Sequence, residues 1–404
     1  MKQSFLLYFS LVICSFNLLA QVPQNFDADA IYVLIDTELE AKTYAEVTLS
    51  NNVNGQDEFI IIPKNNELKR ASYELSNSLK GYSNQAVCNS DGRYVIVSSG
   101  DSAYEGALNY ASGNGFVRVL DTKHGTVTEE KLEFPVGALA INYNKGLIAV
   151  APDQNDENLI LMTWKGKSIS NTLSIPLKHF EKGDKIVDLN WSNSGSFLAV
   201  CFENSNSVAF YRLTTTKEGI ELVAVGQPVS AGLNPGVGLF GPEDKYYYVA
   251  DQSQNFNKGA VSVIRTNLVS GAHDFVQSAP ANIGPESMVL SPDGKYLITL
   301  NRRGAHLSAS DKKKTRMSSV SVMKLAANGK LKPMGEYPFE TVYPSDISFD
   351  KSGNMLVVVA QQVKGSDEEG ELLFWDFYPK KKSQLDLRDE RVVLPKGAHT
   401  LILK

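Results

Sequence analysis

The side chains with chemistry to offer gather in a few stretches. From Arg302 to Arg316 the chain carries Arg302, Arg303, Lys312, Lys313, Lys314 and Arg316 against one acid, Asp311, with His306 between them. Guanidinium groups make two-pronged contacts with carboxylates and phosphates, and they stabilise an oxyanion forming on an ester carbonyl. Arg302 and Arg303 directly follow a β-rich run, so a strand end would hold them more rigidly than the rest. Glu286 and Asp346 lie just after Pro285 and Pro344, each proline entering a β-rich run, and are the first carboxylates to test as a general base. A second group is acidic and amide-rich: Asp101, Glu105, Asp153, Asp156, Glu203, Asp251 and Gln361. Hard cations accept such oxygens, but no ordered calcium spacing is present, and these residue types favour turns in any case. Tyr104 and Tyr110 offer aromatic faces to a sugar or a peptide side chain. The catalytic candidates are therefore Arg302, Arg303, Glu286 and Asp346. The ligand-binding candidates are Arg302, Arg303, His306, Tyr104, Asp251 and Gln361.

Several chemistries are not supported. The five histidines, at 124, 179, 273, 306 and 399, lack the paired spacing of a zinc site. No Gly-x-Ser-x-Gly elbow, phosphate loop or haem-attachment motif occurs, so neither a metal nor another cofactor is expected. A formal net charge of −5 over 404 residues argues against a general nucleic-acid or anionic-membrane binder. With 43% hydrophobic residues and 21% charged, the composition is that of a globular chain.

Residues 1–20 read as a signal peptide. Lys2 supplies a basic start, Phe5 to Leu19 is apolar apart from Ser10, Ser15 and Asn17, and Ala20 precedes a plausible cleavage point. The run is short for a bilayer span, and no transmembrane segment is expected elsewhere. Export is the expectation, to the periplasm or cell surface of a Gram-negative bacterium. Of three cysteines, Cys14 would leave with the leader, and Cys88 and Cys201 are expected as buried free thiols.

What must position the candidates is a repeat. Turns recur at Asn89-Ser90-Asp91-Gly92, Asn144-Lys145-Gly146, Asn193-Ser194-Gly195, Pro242-Glu243-Asp244-Lys245, Pro292-Asp293-Gly294 and Asp350-Lys351-Ser352-Gly353, 49 to 59 residues apart. Each precedes a β-rich run, such as Tyr246 to Ala250 or Tyr296 to Leu300, and a further run follows, such as Val261 to Arg265 or Val320 to Leu325. With a short apolar run before each turn and a weaker fourth segment, every unit holds four antiparallel strands, the signature of a propeller blade. Six units are explicit. Asp27 to Lys80 supplies one more, with strands at Ile31 to Ile35, Ala45 to Leu49 and Phe59 to Ile62, and Thr400 to Leu403 is expected to complete it. The fold class is thus all-β, a seven-bladed β-propeller of four-stranded antiparallel blades, one domain over 21–404, closed by the N- and C-terminal strands. Trp164 and Trp375 are expected in the core between blades.

The unit Gly284-Pro285-Glu286-Ser287-Met288-Val289-Leu290-Ser291-Pro292-Asp293-Gly294-Lys295-Tyr296-Leu297 resembles the YVTN and lactonase-type propellers, which include 6-phosphogluconolactonase and muconate-cyclising lactonases. Tyr343-Pro344-Ser345-Asp346-Ile347-Ser348-Phe349 and Asn234-Pro235-Gly236-Val237 echo it. The resemblance implies a seven-bladed fold and, in the enzymes, an Arg and a His straight after the proline. At those places this chain has Gly236 and Val237, Glu286 and Ser287, and Ser345 and Asp346, so the family's catalytic pair is not matched. Asn301 matches an asparagine common at the end of the second strand, and Arg302 stands where the family often has an acid.

In a propeller the loops entering the inner strand share a face with the loops between second and third strands. The latter are long here, for example Ser99 to Gly115 and Arg302 to Ser318, so any site is expected on that face. The leading expectation is an exported scaffold binding a small molecule, glycan or protein there. The alternatives are a lactonase-like hydrolase of a non-phosphorylated lactone and a structural component of a cell-surface complex.

Overall fold

The computed structural model describes residues 21–36, 57–64, 71–74, 86–89, 91–100, 115–153, 158–217, 219–252, 259–305, 312, 314–315, 317–341, 343–363, 366 and 368–404. These form seven four-stranded antiparallel sheets, the blades of a closed propeller. Blade 1 sets Ala398–Leu403 inside Ala30–Ile35, Glu58–Pro63 and Ala71–Glu74, so the C-terminal strand closes the ring on the N-terminal one. The inner strands of blades 2 to 7 are Ala86–Cys88, Val136–Asn142, Ile186–Trp191, Pro235–Phe240, Pro285–Leu290 and Pro344–Phe349. The expected strands at Ile31 to Ile35, Phe59 to Ile62 and Thr400 to Leu403 are present, each within a residue or two of its observed bounds; Ala45 to Leu49 lies outside the described residues.

Among the described residues seven apolar clusters hold the ring, one at each blade-to-blade interface. The second strand of blade 7, Met355–Ala360, shows why its sequence is apolar without a break. Met355, Val357 and Val359 pack towards blade 1, while Leu356 and Val358 pack towards blade 6. Alternate side chains point to opposite faces of a strand, and here both faces are buried. Trp375 lies in the interface of blades 6 and 7, edge-on to Phe339, and Trp164 is packed against that of blades 2 and 3. Cys88 and Cys201 are free thiols; Cys201 is buried as expected, but Cys88 is only partly so, because it lies where an inner strand meets the central cavity.

The tight turns nest around one face. Gly294 takes φ +66, and a Cβ there would lie 2.7 Å from a ring carbon of Pro242, in the matching turn one blade back. On the opposite face one bond repeats. The N–H of the residue after the second strand donates to the carbonyl of the residue before the inner strand. It joins Asp36 to Gly397 (3.1 Å), Asp153 to Pro135 (2.8 Å), Glu203 to Lys185 (2.8 Å), Gln252 to Asn234 (3.0 Å), Arg302 to Gly284 (2.9 Å) and Gln361 to Tyr343 (2.9 Å). Next to it, the inner strand slips register against the second strand by a β-bulge in blades 1 and 3 to 7. A bulge re-aims a side chain, and these recur where the chain enters the central channel.

Candidate active site

Each blade with a bulge therefore presents two residues at fixed places on the long-loop face, the bulged one and the one following the second strand. In blades 3, 4 and 5 the bulges hold Gly137, Val187 and Gly236–Val237, which carry no reactive group. In blades 6, 7 and 1 they hold Glu286, Ser345 and His399, accompanied by Arg302, Gln361 and Asp36. Acid, hydroxyl, imidazole and guanidinium thus occupy three consecutive blades, across the point where the chain ends meet.

At the blade 6 end of this arc is an ion pair between Arg302 and Glu286 Oε1, with side chains only 10% and 7% exposed. The Arg302 guanidinium carbon stands 4.5 Å from the ring centroid of Tyr343, itself buried, so the cation lies between a carboxylate and an aromatic face. Gln252 of blade 5 donates from Nε2 to Glu286 Oε2 at 3.4 Å and to the Pro285 carbonyl at 3.2 Å. Burial pushes the Glu286 carboxyl above the usual range for a glutamic acid; the neighbouring guanidinium opposes this and does not overcome it. Gln361 is 1% exposed, and its Oε1 has no hydrogen-bond partner among the described residues. His399 is buried beside Thr400 Oγ1 (2.9 Å from Nδ1), and burial pushes its pKa down to about 4, so the imidazole is neutral at neutral pH.

Other candidates are placed differently. Arg303, at φ +50, turns away from Arg302 and pairs with Glu336 Oε1 (3.3 Å) on the outer strand of blade 6, so the two arginines do not act as one cluster. Asp251 is buried, and its Oδ1 accepts the N–H groups of Leu233 and Asn234, both at 3.1 Å, bracing the loop into its own inner strand. Asp346 accepts three hydrogen bonds and is tied into the wall below the mouth. Lys314 folds back so that its Nζ donates to the Ala305 carbonyl. Tyr104, His306, Lys313 and Arg316 lie outside the described residues.

His399 and Asp36 were not singled out in the sequence. Their one signal was positional: His399 stands in the closing strand where Glu286 and Ser345 stand in theirs, visible only once the tail is laid against blade 1. Among the described residues no group of three or more His, Cys, Asp or Glu side chains converges as a metal site, and no helix is long and apolar enough to cross a membrane.

Comparison with known proteins agrees with this architecture. The family model described as lactonase, 7-bladed beta-propeller, matches residues 139–365. No curated protein sequence matches significantly. Among solved structures, the periplasmic gluconolactonase of Pseudomonas aeruginosa is 14% identical with a TM-score of 0.62, covering 92% of this chain and 98% of its own. A candidate 6-phosphogluconolactonase from Bacteroides uniformis is 14% identical with a TM-score of 0.63, over 93% of this chain and 100% of its own. A Lactobacillus plantarum protein gives the same identity and TM-score over 93% and 99%. At such identities the likeness is one of fold.

Proposed function

The chain belongs to the lactonase family of seven-bladed β-propellers, and from that premise we propose that it hydrolyses a lactone at the mouth formed by blades 6, 7 and 1. The observation that carries this reading is the buried Glu286–Arg302 pair against Tyr343. A lactone carbonyl needs a donor for the negative charge that develops on its oxygen, and the attacking water needs a base. Arg302 has five N–H donors in a rigid fork, enough to hold Glu286 and a carbonyl oxygen together. Glu286, with a raised pKa, is a stronger base than an exposed glutamate and takes a proton from the water. Water oxygen bonds to the carbonyl carbon, the ring C–O bond breaks, and the proton held by Glu286 passes to the departing ring oxygen. The product is the open hydroxy acid.

The binding scaffold expected from the sequence would use the same face. A desolvated carboxylate held against a guanidinium favours chemistry over simple binding, because perturbed acids are arranged where a proton must move. Residues 1–20 as a cleaved leader, and 21–404 as one exported domain, complete the proposal. Periplasmic placement of the Pseudomonas relative agrees with it, and a location outside the cytoplasm favours a non-phosphorylated lactone.

NMR of a panel including δ-gluconolactone, its 6-phosphate and simple aliphatic lactones tests this against the spontaneous rate. Arg302→Ala should cost about 10²–10³ in kcat, the loss typical of a removed oxyanion donor. Arg303→Ala should stay within about twofold, as for a surface change away from the reacting atoms. Glu286→Gln should remove the limb of the pH–rate profile that rises as Glu286 ionises. Absence of turnover on every lactone would overturn the hydrolytic reading.

A further inference from the structure

We propose that Asp346 is a positioning residue that holds the bulges of blades 6, 7 and 1 in register with one another, an inference that rests on the hydrolytic reading of their mouth. Asp346 follows directly on the bulged Ser345 of blade 7. Its Oδ1 accepts the Ser287 hydroxyl of blade 6 at 2.7 Å, and Ser287 is the residue after Glu286. Its Oδ2 accepts the Leu401 N–H of blade 1 at 3.0 Å, and Leu401 is two residues beyond His399. Its own strand contributes the Ile347 N–H, 2.8 Å from Oδ1. One buried carboxylate therefore bonds a neighbour of each of the three reactive bulges, across the junction where the ring closes.

The physical need for an acceptor is plain. An inner strand has no further strand on its channel side, so an N–H on that edge must find a side chain or water. Asp346 meets that need for Leu401. The ring contains a second carboxylate with the same geometry: Asp188 Oδ2 accepts the Gly238 N–H of the next blade at 2.7 Å. Gly238 pairs with Val249, and Leu401 with Val33, each two residues in from the end of the second strand. Asp188 is also in the position after a bulge, but it ties blades 4 and 5, whose bulges hold Val187 and Gly236–Val237. Both carboxylates accept the matching N–H of the next blade, but Asp188 Oδ2 also takes Asn190 Nδ2 of its own strand, whereas Asp346 reaches back to Ser287 of blade 6 and stands beside the Glu286, Ser345 and His399 bulges. Below them the central channel opens into a cavity of about 510 Å³ lined in part by Asn190, Ser287 and Asp346. Truncating Asp346 would thus open space for water in place of the tie, leaving Ser287 and Leu401 without their fixed acceptor.

Amide hydrogen exchange and steady-state kinetics on the full chain separate the two ties. In Asp346→Ala, exchange should rise about tenfold in 285–290, 344–349 and 398–403, as local opening becomes easier. Asp188→Ala should affect only 186–191 and 235–240. On the best lactone, Asp346→Ala should lower kcat on the order of 10²-fold while KM stays within about threefold, the pattern of misplaced rather than missing catalytic groups. Asp188→Ala should leave kcat within about twofold, and Ser287→Ala should fall between, having lost one arm of the tie. If Asp346→Ala fails to fold, Asp346→Asn keeps the shape while setting an amide donor against one of the three donors, and the same directions apply. Exchange raised in 344–349 alone would overturn the proposal, as would an equal loss of kcat in the Asp188 variant. A wild-type protein without lactone hydrolysis would sink the reading of the mouth, and the exchange comparison would still decide the tie.

Discussion

Asp346 holds its proton more tightly in the folded chain than in the unfolded one, its pKa being raised from 3.8 to about 7 by burial, against the pull of Ser287, Leu401 and Ile347. Nearby Glu286 pushes in the same direction as burial. A folded pKa above the unfolded one means that the native state binds more protons between those values, so stability falls as pH rises through that window. The contribution is fully present below 3.8 and is lost by about 7. Asp346→Asn cannot ionise and lacks this dependence. Thermal denaturation at about pH 5 and about pH 8 should therefore show the wild type losing ground to Asp346→Asn at the higher pH. A constant difference between the two proteins would mean that Asp346 ionises normally. Glu286, raised as well by burial against the pull of Arg302, adds a slope of the same sign.

Elements position these groups through turns as much as through strands. Gly294 sits at φ +66 with no room for a Cβ beside Pro242, so Gly294→Ala meets both backbone strain and a clash with the neighbouring blade's turn. Gly183 offers the contrast, since it sits at φ +89 with nothing within 4 Å of a Cβ. Urea denaturation should show Gly183→Ala costing about 1 kcal/mol, the backbone part alone. Gly294→Ala should cost on the order of 2–4 kcal/mol, because overpacking against an immobile proline adds to the strain. Equal losses would show that the turns do not nest. The bulges are the second device: in blades 1 and 3 to 7 one extra residue in the inner strand interrupts the ladder at the channel entrance, and the residue that fills that place differs from blade to blade.

The whole molecule depends on the meeting of its two ends. Ala398–Leu403 lies between Ala30–Ile35 and the channel, and Ala398 and Leu401 complete the apolar cluster shared with blade 7. A chain ending at Pro395 would expose an edge of blade 1, lose the Leu401 partner of Asp346, and remove His399 from the site. Calorimetry should show its single cooperative transition lost or broadened, because a ring of blades is stabilised by every interface together. A truncated chain melting like the full one would place closure elsewhere.

The repeat of turns and β-rich runs was enough to specify blades, their number and the closing tail, because buried two-faced strands and positive-φ turns leave a local imprint at every copy. Glu286, Arg302 and Gln361 could be picked out singly, since each stands beside a strand end. Their partners could not. Whether Arg302 meets Glu286 or Arg303 meets Glu336 depends on which way consecutive side chains turn at a strand end. That His399 and Asp36 occupy in blade 1 the places that Glu286 and Arg302 occupy in blade 6 depends on a closure bringing residue 399 beside residue 36. Local sequence specifies the conformation of each segment, whereas proximity between segments far apart in the chain is decided by the packing of the blades around the ring.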